Sequence, residues 1–156
     1  MCRKAYIRMW ILSSLKNLGA DRDTLLDVYR QQILSVLEFS APVWTSGLTQ
    51  HQVHQIERVQ KTAVYIILGE QYTSYRNGLK QLKMDTLTQR RHNLCVKFTV
   101  KATKHTKFCT WFKENLITQN SRTRSIKNKY KSVDTRTNKF KKSAIPYLTD
   151  IANSIP

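Results

Sequence analysis

The residues best placed to do chemistry in this chain are cations, and four of them follow one side of a predicted helix. Arg90, Lys97, Lys101 and Lys104 are spaced seven, four and three residues apart, which aligns them on one stripe of a helix. Such a row attracts a phosphate backbone through release of its counterions. A solvated face would include carboxylates for i,i+4 pairs, but none occurs between Asp85 and Glu114. The spacing therefore favours phosphate contact over a solubilising face.

A second group of cations fills residues 118–156, where apolar periodicity fades. Its members are Arg122, Arg124, Lys127, Lys129, Lys131, Arg136, Lys139, Lys141 and Lys142. Tyr130 and Phe140 are interleaved with them, and this mixture is typical of segments that follow a nucleic-acid backbone and stack on bases. In an extended segment, Lys127, Lys129 and Lys131 would share one side. The same composition also fits a disordered basic arm or a nuclear-import signal.

Four other residues have the chemistry of zinc ligands, namely His92, Cys95, His105 and Cys109. Cys95 falls on the apolar stripe of the basic helix, and no glycine-rich knuckle joins the two pairs, so Cys95 is interpreted as a small buried hydrophobe. The only close carboxylates, Asp21 and Asp23, lie where a helix begins and fit end capping better than Mg²⁺ binding. The sequence therefore predicts no metal site, no cofactor and no catalytic residue.

The net charge of +17 is distributed unevenly along the 156 residues. Residues 1–75 carry +2, residues 76–117 carry +8 and residues 118–156 carry +7. A polyanionic partner explains this imbalance, and nucleic acid ranks ahead of an anionic membrane or an acidic protein. No apolar stretch approaches the roughly 20 residues of a membrane span. Three widely spaced cysteines fit a reducing, intracellular setting, either nuclear or cytoplasmic.

Apolar periodicity predicts the first of the helices that must position these cations. This helix runs from Arg3 to Leu18 and is expected to turn one apolar face inward. That face consists of Ile7, Ile11, Leu15 and Leu18. The three tryptophans, Trp10, Trp44 and Trp111, are interpreted as core anchors because large aromatic side chains dominate core packing.

Helix-end signals predict the later helices. They are expected over residues 21–41, 49–69, 74–83 and 85–104, with a last turn or two over 108–115. Thr49 and Gln52 form a capping box, and Gly69 supplies a C-terminal stop. Arg91 falls within the apolar stripe of the long basic helix, so we expect it to be held by hydrogen-bonding partners in a structural role.

Many of these positions belong to one spaced pattern. It runs through Leu25-Leu26, Tyr29, Ile33, Val36-Leu37, Ala41-Pro42-Val43-Trp44, Leu48-Thr49, Ile56-Glu57-Arg58-Val59-Gln60-Lys61, Ala63 and Ile66-Ile67-Leu68-Gly69, and then through Tyr72, Tyr75, Leu79, Leu82, Thr86-Leu87, Arg90-Arg91, Leu94-Cys95 and Phe98. In order and spacing it resembles the region just after the polymerase palm in reverse transcriptases of non-LTR retrotransposons, most like the Jockey and CR1 type. The resemblance covers residues 3–100, with a weaker echo over 136–148.

The resemblance implies a helical thumb, which in the family grips primer–template duplex beside the palm, and a following region that binds template RNA or the target. In the family a Tyr/Phe-x-Asp-Asp turn of the palm holds two Mg²⁺ ions. This chain has no adjacent aspartates, and fingers and palm would lie upstream of Met1. The resemblance therefore implies a piece of a polymerase that does not polymerise alone. The exposed apolar face that packs on the palm in the family would be available to a palm or another protein.

The predicted fold is an all-α, thumb-like bundle of four to six helices over residues 1–117, followed by a basic, partly irregular arm over 118–156. The predicted function is sequence-nonspecific binding of RNA or DNA through the helix and arm cations, without enzymatic activity. The competing interpretation is a helical protein-interaction or structural module derived from such an element. No association with membranes is expected.

Overall fold

The computed structural model describes residues 1–113 and 129–155, and within them the chain is all-α and contains no β-strand. The prediction of an all-α fold is confirmed, with seven helices in the described residues instead of four to six. These are α1 (Cys2–Asn17), α2 (Arg22–Val28, continued by a π-helical segment at Tyr29–Leu34 and a last turn at Ser35–Glu38), α3 (Ala41–Trp44, continued as a 3-10 turn at Thr45–Gly47), α4 (Gln50–Leu68), α5 (Tyr75–Gln81), α6 (Leu87–Lys104) and α7 (Ala144–Ser154). Single turns occur at Gly69–Gln71, Cys109–Trp111 and Asn138–Lys141.

The chain divides into two compact units. The first unit comprises residues 1–41 and 48–91, and the second comprises residues 42–47 together with the described part of 92–156. The division falls inside α6, after Arg91. The domain boundary expected between residues 117 and 118 lies outside the described residues and stays a prediction.

Helix α1 packs against α4 in the first unit, but it buries a different face from the one expected. Its buried residues are Ala5, Met9 and Leu12. Ile7 and Leu18 of the expected inward face are 66% and 83% exposed. Trp10 is 73% exposed, so its interpretation as a core anchor is wrong. The apolar residues of α1 are distributed around its whole circumference, so periodicity alone does not identify the buried face. The small side chain of Ala5 lets the helix approach its neighbour closely, which favours the observed face.

The helix starts follow their predicted signals. The Asp21 side chain accepts hydrogen bonds from the backbone N–H groups of Asp23 (3.2 Å) and Thr24 (3.3 Å), which makes Asp21 the N-cap of α2. A further hydrogen bond from the Thr24 hydroxyl lowers the pKa of Asp21. At α4, Thr49 Oγ1 accepts from the Gln52 N–H (3.3 Å) and Gln52 Oε1 accepts from the Thr49 N–H (2.9 Å). The predicted capping box is therefore confirmed.

A buried amide on α4 holds the start of α6. Gln60 is fully buried, and its Nε2 donates to the Asp85 carbonyl at 3.0 Å. Its Oε1 accepts from the Leu87 N–H at 3.0 Å. A helix begins with N–H groups that have no partner within the helix, and burying one of them unpaired is costly. Gln60 therefore pairs both with the Asp85 carbonyl, in the segment that enters α6, and with the N–H of Leu87, the first helical residue.

Glu57, one helical turn earlier on α4, completes this cap. Its Oε1 accepts from the Thr88 backbone N–H (2.7 Å) and from the Thr88 hydroxyl (2.8 Å). A carboxylate at a helix N-terminus also interacts favourably with the helix dipole. The Tyr75 hydroxyl lies 2.7 Å from Glu57 Oε2 and 2.8 Å from Gln60 Oε1. Burial, together with the Glu57 hydrogen bond, raises the pKa of Tyr75 above its ordinary value, which keeps the hydroxyl protonated as a donor.

Replacing Gln60 with leucine tests this cap. Gln60→Leu fills the same space but leaves the Leu87 N–H and the Asp85 carbonyl without partners, so the free energy of unfolding should fall by about 2 kcal/mol. Urea unfolding followed by far-UV circular dichroism measures the change. Gln55→Leu is the control on the exposed side of α4 and should change stability by less than about 0.5 kcal/mol. Equal effects of the two substitutions would contradict the capping role.

The second unit has its own apolar core. Its buried residues are Cys95, Ala102, Phe112, Tyr130, Leu148, Ile151 and Ala152. Helix α7 and the second half of α6 both contribute to this core. The run Ile145-Pro-Tyr-Leu-Thr-Asp-Ile-Ala is short, but its apolar residues recur at helical spacing, and that is sufficient to bury one face of an eleven-residue helix.

Leu148 provides the test of this core. It is 1% exposed, so Leu148→Ala should lower the free energy of unfolding by about 2–5 kcal/mol through lost burial and a residual cavity. Asp150→Ala, on the exposed side of the same helix, should change it by no more than about 0.5 kcal/mol. If Leu148→Ala left the urea midpoint at the value of the unsubstituted chain, α7 would not belong to the core.

Candidate nucleic-acid interface

Cations of the second unit are not balanced by carboxylates. Its described residues contain eleven lysine and arginine side chains against two carboxylates, Asp134 and Asp150, a net charge of +9. The first unit carries thirteen against seven, a net charge of +6. Both salt bridges between described side chains, Arg30 with Asp27 and Arg90 with Glu38, belong to the first unit. In the described part of the second unit, no lysine or arginine forms a salt bridge.

Two adjacent arginines of α6 are engaged inside the first unit. Arg90 makes a two-point contact with Glu38 of α2, with Nε at 2.5 Å from Oε1 and an Nη nitrogen at 3.1 Å from Oε2. This contact raises the pKa of Arg90, so its charge is held in the pair. Arg91 is 1% exposed and donates to Thr88 Oγ1 at 3.2 Å, as expected of a structural residue. Glu38 thus engages Arg90 inside the first unit, and the phosphate contact expected of Arg90 stays a prediction.

The other cations of the predicted helix stripe are placed as expected. Lys97, Lys101 and Lys104 are exposed on the part of α6 that belongs to the second unit. Their spacing of four and three residues covers about 10 Å of helix at about 1.5 Å per residue. They therefore form a short basic stripe on one side of a well-packed helix.

Helix and arm cations meet at one cavity of the second unit. This cavity, of about 320 Å³, is lined by Thr99, Val100, Thr103, Lys104, Lys129, Tyr130, Ala152 and Ile155. Lys129 Nζ lies 5.4 Å from the centroid of the Tyr130 ring, a cation–π distance. Lys104 and Lys129 are 25 residues apart in sequence, and the fold brings both to the same cavity. One cation from each of the two predicted groups thus lines the same cavity.

Three hydrogen bonds to backbone groups hold the segment that carries Lys129. The Tyr130 N–H donates to Asn153 Oδ1 at 2.8 Å, and Asn153 Nδ2 donates back to the Tyr130 carbonyl at 3.0 Å. The Lys131 N–H donates to the Lys113 carbonyl at 2.8 Å. A side-chain amide of α7 and the segment after α6 therefore hold the cations that flank Tyr130.

Lys131 lines a different cavity from Lys129. This second cavity, of about 450 Å³, is lined by Thr110, Trp111, Lys113, Lys131, Ser132, Val133, Asp134, Phe140 and Ile145. Trp111 and Phe140 are 37% and 41% exposed, and the interpretation of Trp111 as a core anchor is wrong. Sequence reasoning also missed Lys113, which is an isolated cation in the sequence and becomes part of this site only through the fold.

The remaining arm cations are either exposed or outside the described residues. Arg136, Lys139, Lys141 and Lys142 are exposed around the turn Asn138–Lys141. Arg122, Arg124 and Lys127 lie outside the described residues, and their predicted contacts stay predictions.

The four residues with zinc-ligand chemistry, His92, Cys95, His105 and Cys109, do not form a metal site in the described residues. Cys95 is fully buried in the second core, as its place on the apolar stripe predicts. His92 Nδ1 lies 3.4 Å from the Tyr147 hydroxyl, and His105 Nδ1 accepts from the Lys107 N–H at 3.2 Å. Within residues 1–113 and 129–155, no group of three or more histidine, cysteine or acidic side chains is arranged to hold a metal ion.

Compared with known proteins, the chain matches no protein-family model, no curated protein and no solved structure. None of its described helices is long and apolar enough to cross a bilayer.

Proposed function

We propose that this chain binds RNA or DNA, without much sequence preference, through the lysine-rich surface of its second unit. The observation that carries the proposal is the +9 charge of the described part of that unit, in which no salt bridge offsets a cation. Such a surface repels itself, and a polyanion that releases counterions on binding relieves the repulsion.

The kinds of cation support binding to the backbone over reading of bases. The described residues of the second unit contain ten lysines and one arginine, Arg136. Lysine contacts phosphate as a flexible point charge, whereas base readout relies largely on the fixed two-point geometry of arginine, asparagine or glutamine. Contacts to phosphate position a protein on nucleic acid but carry no sequence information. The composition therefore favours sequence-nonspecific binding.

We also propose that the described helices derive from the region just after the palm of a non-LTR retrotransposon reverse transcriptase. The support is the resemblance over residues 3–100. Glu57 and Gln60, both members of the resembling run, cap the long helix α6. In the parent family Mg²⁺ binds in the palm, so no cofactor is proposed for this chain.

One observation favours a second candidate function, a protein-interaction module. Helix α1 exposes Tyr6, Ile7 and Trp10 to 43%, 66% and 73%, which is far more than a helix packed on all sides would show. A contiguous exposed apolar surface is typical of protein–protein contacts. Under the proposed origin, this surface would contact a polymerase palm or another protein.

Neutralising the α6 stripe tests the proposed binding surface. Changing Lys97, Lys101 and Lys104 together to glutamine should lower affinity for a DNA duplex. The slope of log affinity against log salt should shrink by about 2 to 3, because each lost phosphate contact removes about 0.9. Fluorescence anisotropy at several salt concentrations measures this slope.

The charge-matched control changes three exposed cations of the first unit, Arg76, Lys80 and Lys83, to glutamine. Its slope should stay close to that of the unsubstituted chain. Equal slopes for both variants would mean that only long-range attraction operates, and the proposed surface would be wrong. A duplex affinity that does not weaken with salt would contradict electrostatic binding. It would instead favour the protein-interaction module, because salt does not weaken apolar contacts.

Primer extension tests the absence of polymerase activity. We expect no extension of a labelled primer on an RNA or DNA template with Mg²⁺ or Mn²⁺, since the chain lacks the adjacent aspartates that hold metals in such polymerases. Extension by the purified chain that survives further purification would contradict the proposal.

A further inference from the structure

A second cluster of aromatic and cationic side chains lies in the first unit, away from the lysine-rich surface of the proposed function. It lines a cavity of about 350 Å³, which falls in the range of about 300–1,000 Å³ typical of ligand pockets. Its members, here called the tyrosine pocket, are Tyr6 of α1, Arg58, Lys61, Thr62 and Tyr65 of α4, and Tyr72 of the segment that follows α4.

The helix α4 sets the geometry of the tyrosine pocket. Arg58, Lys61 and Tyr65 are spaced three and four residues apart, so they share one face of the helix. The rings of Tyr65 and Tyr72 lie 5.4 Å apart at an interplanar angle of 82°, an edge-to-face contact. This contact holds Tyr65 in place while 59% of its surface remains exposed. An ordered ring is thus presented to solvent beside two cations.

The charge of the tyrosine pocket has one sign. No carboxylate lines it, and neither Arg58 nor Lys61 forms a salt bridge with a described residue. The carboxylate nearest to Arg58 in sequence, Glu57, is engaged with Thr88 at the start of α6. Three phenol rings and two cations complement a ligand that is both flat and anionic. The unit of nucleic acid that has this chemistry is a single nucleotide with its base unstacked.

We propose that the tyrosine pocket binds a nucleotide of single-stranded nucleic acid. The base stacks on the exposed ring of Tyr65, and Arg58 and Lys61 contact the flanking phosphates. A base in a duplex is already stacked and paired, so it does not enter, and the pocket selects single strands. No side-chain amide or carboxylate lines the pocket, so stacking, which every base provides, favours no particular sequence. This inference rests on the first unit and is independent of the lysine surface of the second.

The test compares single-strand and duplex affinities of the full chain. Two probes serve in fluorescence anisotropy. One is a labelled oligothymidine of about 12 nucleotides, within the usual range of single-strand site sizes, and the other is its duplex with the complementary oligoadenosine. Tyr65→Leu should weaken single-strand binding about 5-fold or more, because stacking on an aromatic ring contributes about that much per base. Duplex affinity should stay within about twofold, since the duplex offers no free base to stack.

Two variants serve as controls for the loss of the ring. Tyr65→Phe keeps the ring and should keep single-strand affinity. Phe39→Leu removes a comparably exposed aromatic ring of the first unit, 75% exposed and outside the tyrosine pocket, and should also keep it. Circular dichroism confirms that each variant is folded. Changing Arg58 and Lys61 to glutamine should reduce the single-strand salt slope by about 0.7 per contact.

The proposal is overturned if Tyr65→Leu binds single strands as tightly as the unsubstituted chain, or if it loses single-strand and duplex affinity equally. Repeating the Tyr65→Leu comparison in the chain with Lys97, Lys101 and Lys104 changed to glutamine separates the two sites. If the lysine surface does not bind, the Tyr65 effect on single strands should persist. If the tyrosine pocket does not bind, the salt slope of the duplex should still respond to the lysines.

Discussion

The first unit depends on one constraint, the need to satisfy the N–H groups at the start of α6. Gln60 and Glu57 accept hydrogen bonds from Leu87 and Thr88, and Gln60 also pairs with the Asp85 carbonyl. These contacts span 25 to 31 residues of sequence, so they join α4 to the start of α6 instead of stabilising either helix alone. A fully buried glutamine is tolerated only because its amide is paired on both sides. The constraint fixes where α6 begins.

The two units use their charges differently. In the first unit, some carboxylates have structural partners, as Glu38 has in Arg90 and Glu57 has in Thr88. In the described part of the second unit, lysines greatly outnumber carboxylates, and none of them is held in a salt bridge. Surface ion pairs contribute little to stability, so their absence costs the second unit little in folding. Unbalanced charge matters for association instead, because it attracts polyanions over a range of about 10 Å at moderate salt.

Local signals in the sequence predicted much of the fold, whereas features that tertiary packing determines were not predicted. The capping box at Thr49 and the burial of Cys95 follow from neighbouring residues and helical period, and both are observed. The inward face of α1 was predicted wrongly because apolar residues occupy the whole circumference of that helix. Periodicity therefore does not identify the buried face, which the small side chain of Ala5 favours. Arg90 matches the cation spacing, but Glu38, 52 residues away, engages it. The shared cavity of Lys104 and Lys129 likewise depends on contacts that periodicity does not encode.

The most direct test of the central claim is a titration of the isotope-labelled chain with a DNA duplex at low salt, followed by amide NMR. The largest shifts are expected for residues 97–104 and 129–131 of the second unit. Residues around Lys80 and Lys83 should change little, although they are also exposed and basic. Shifts confined to the first unit, or no shifts at concentrations where anisotropy shows binding, would contradict the claim that the lysines of the second unit form the nucleic-acid interface.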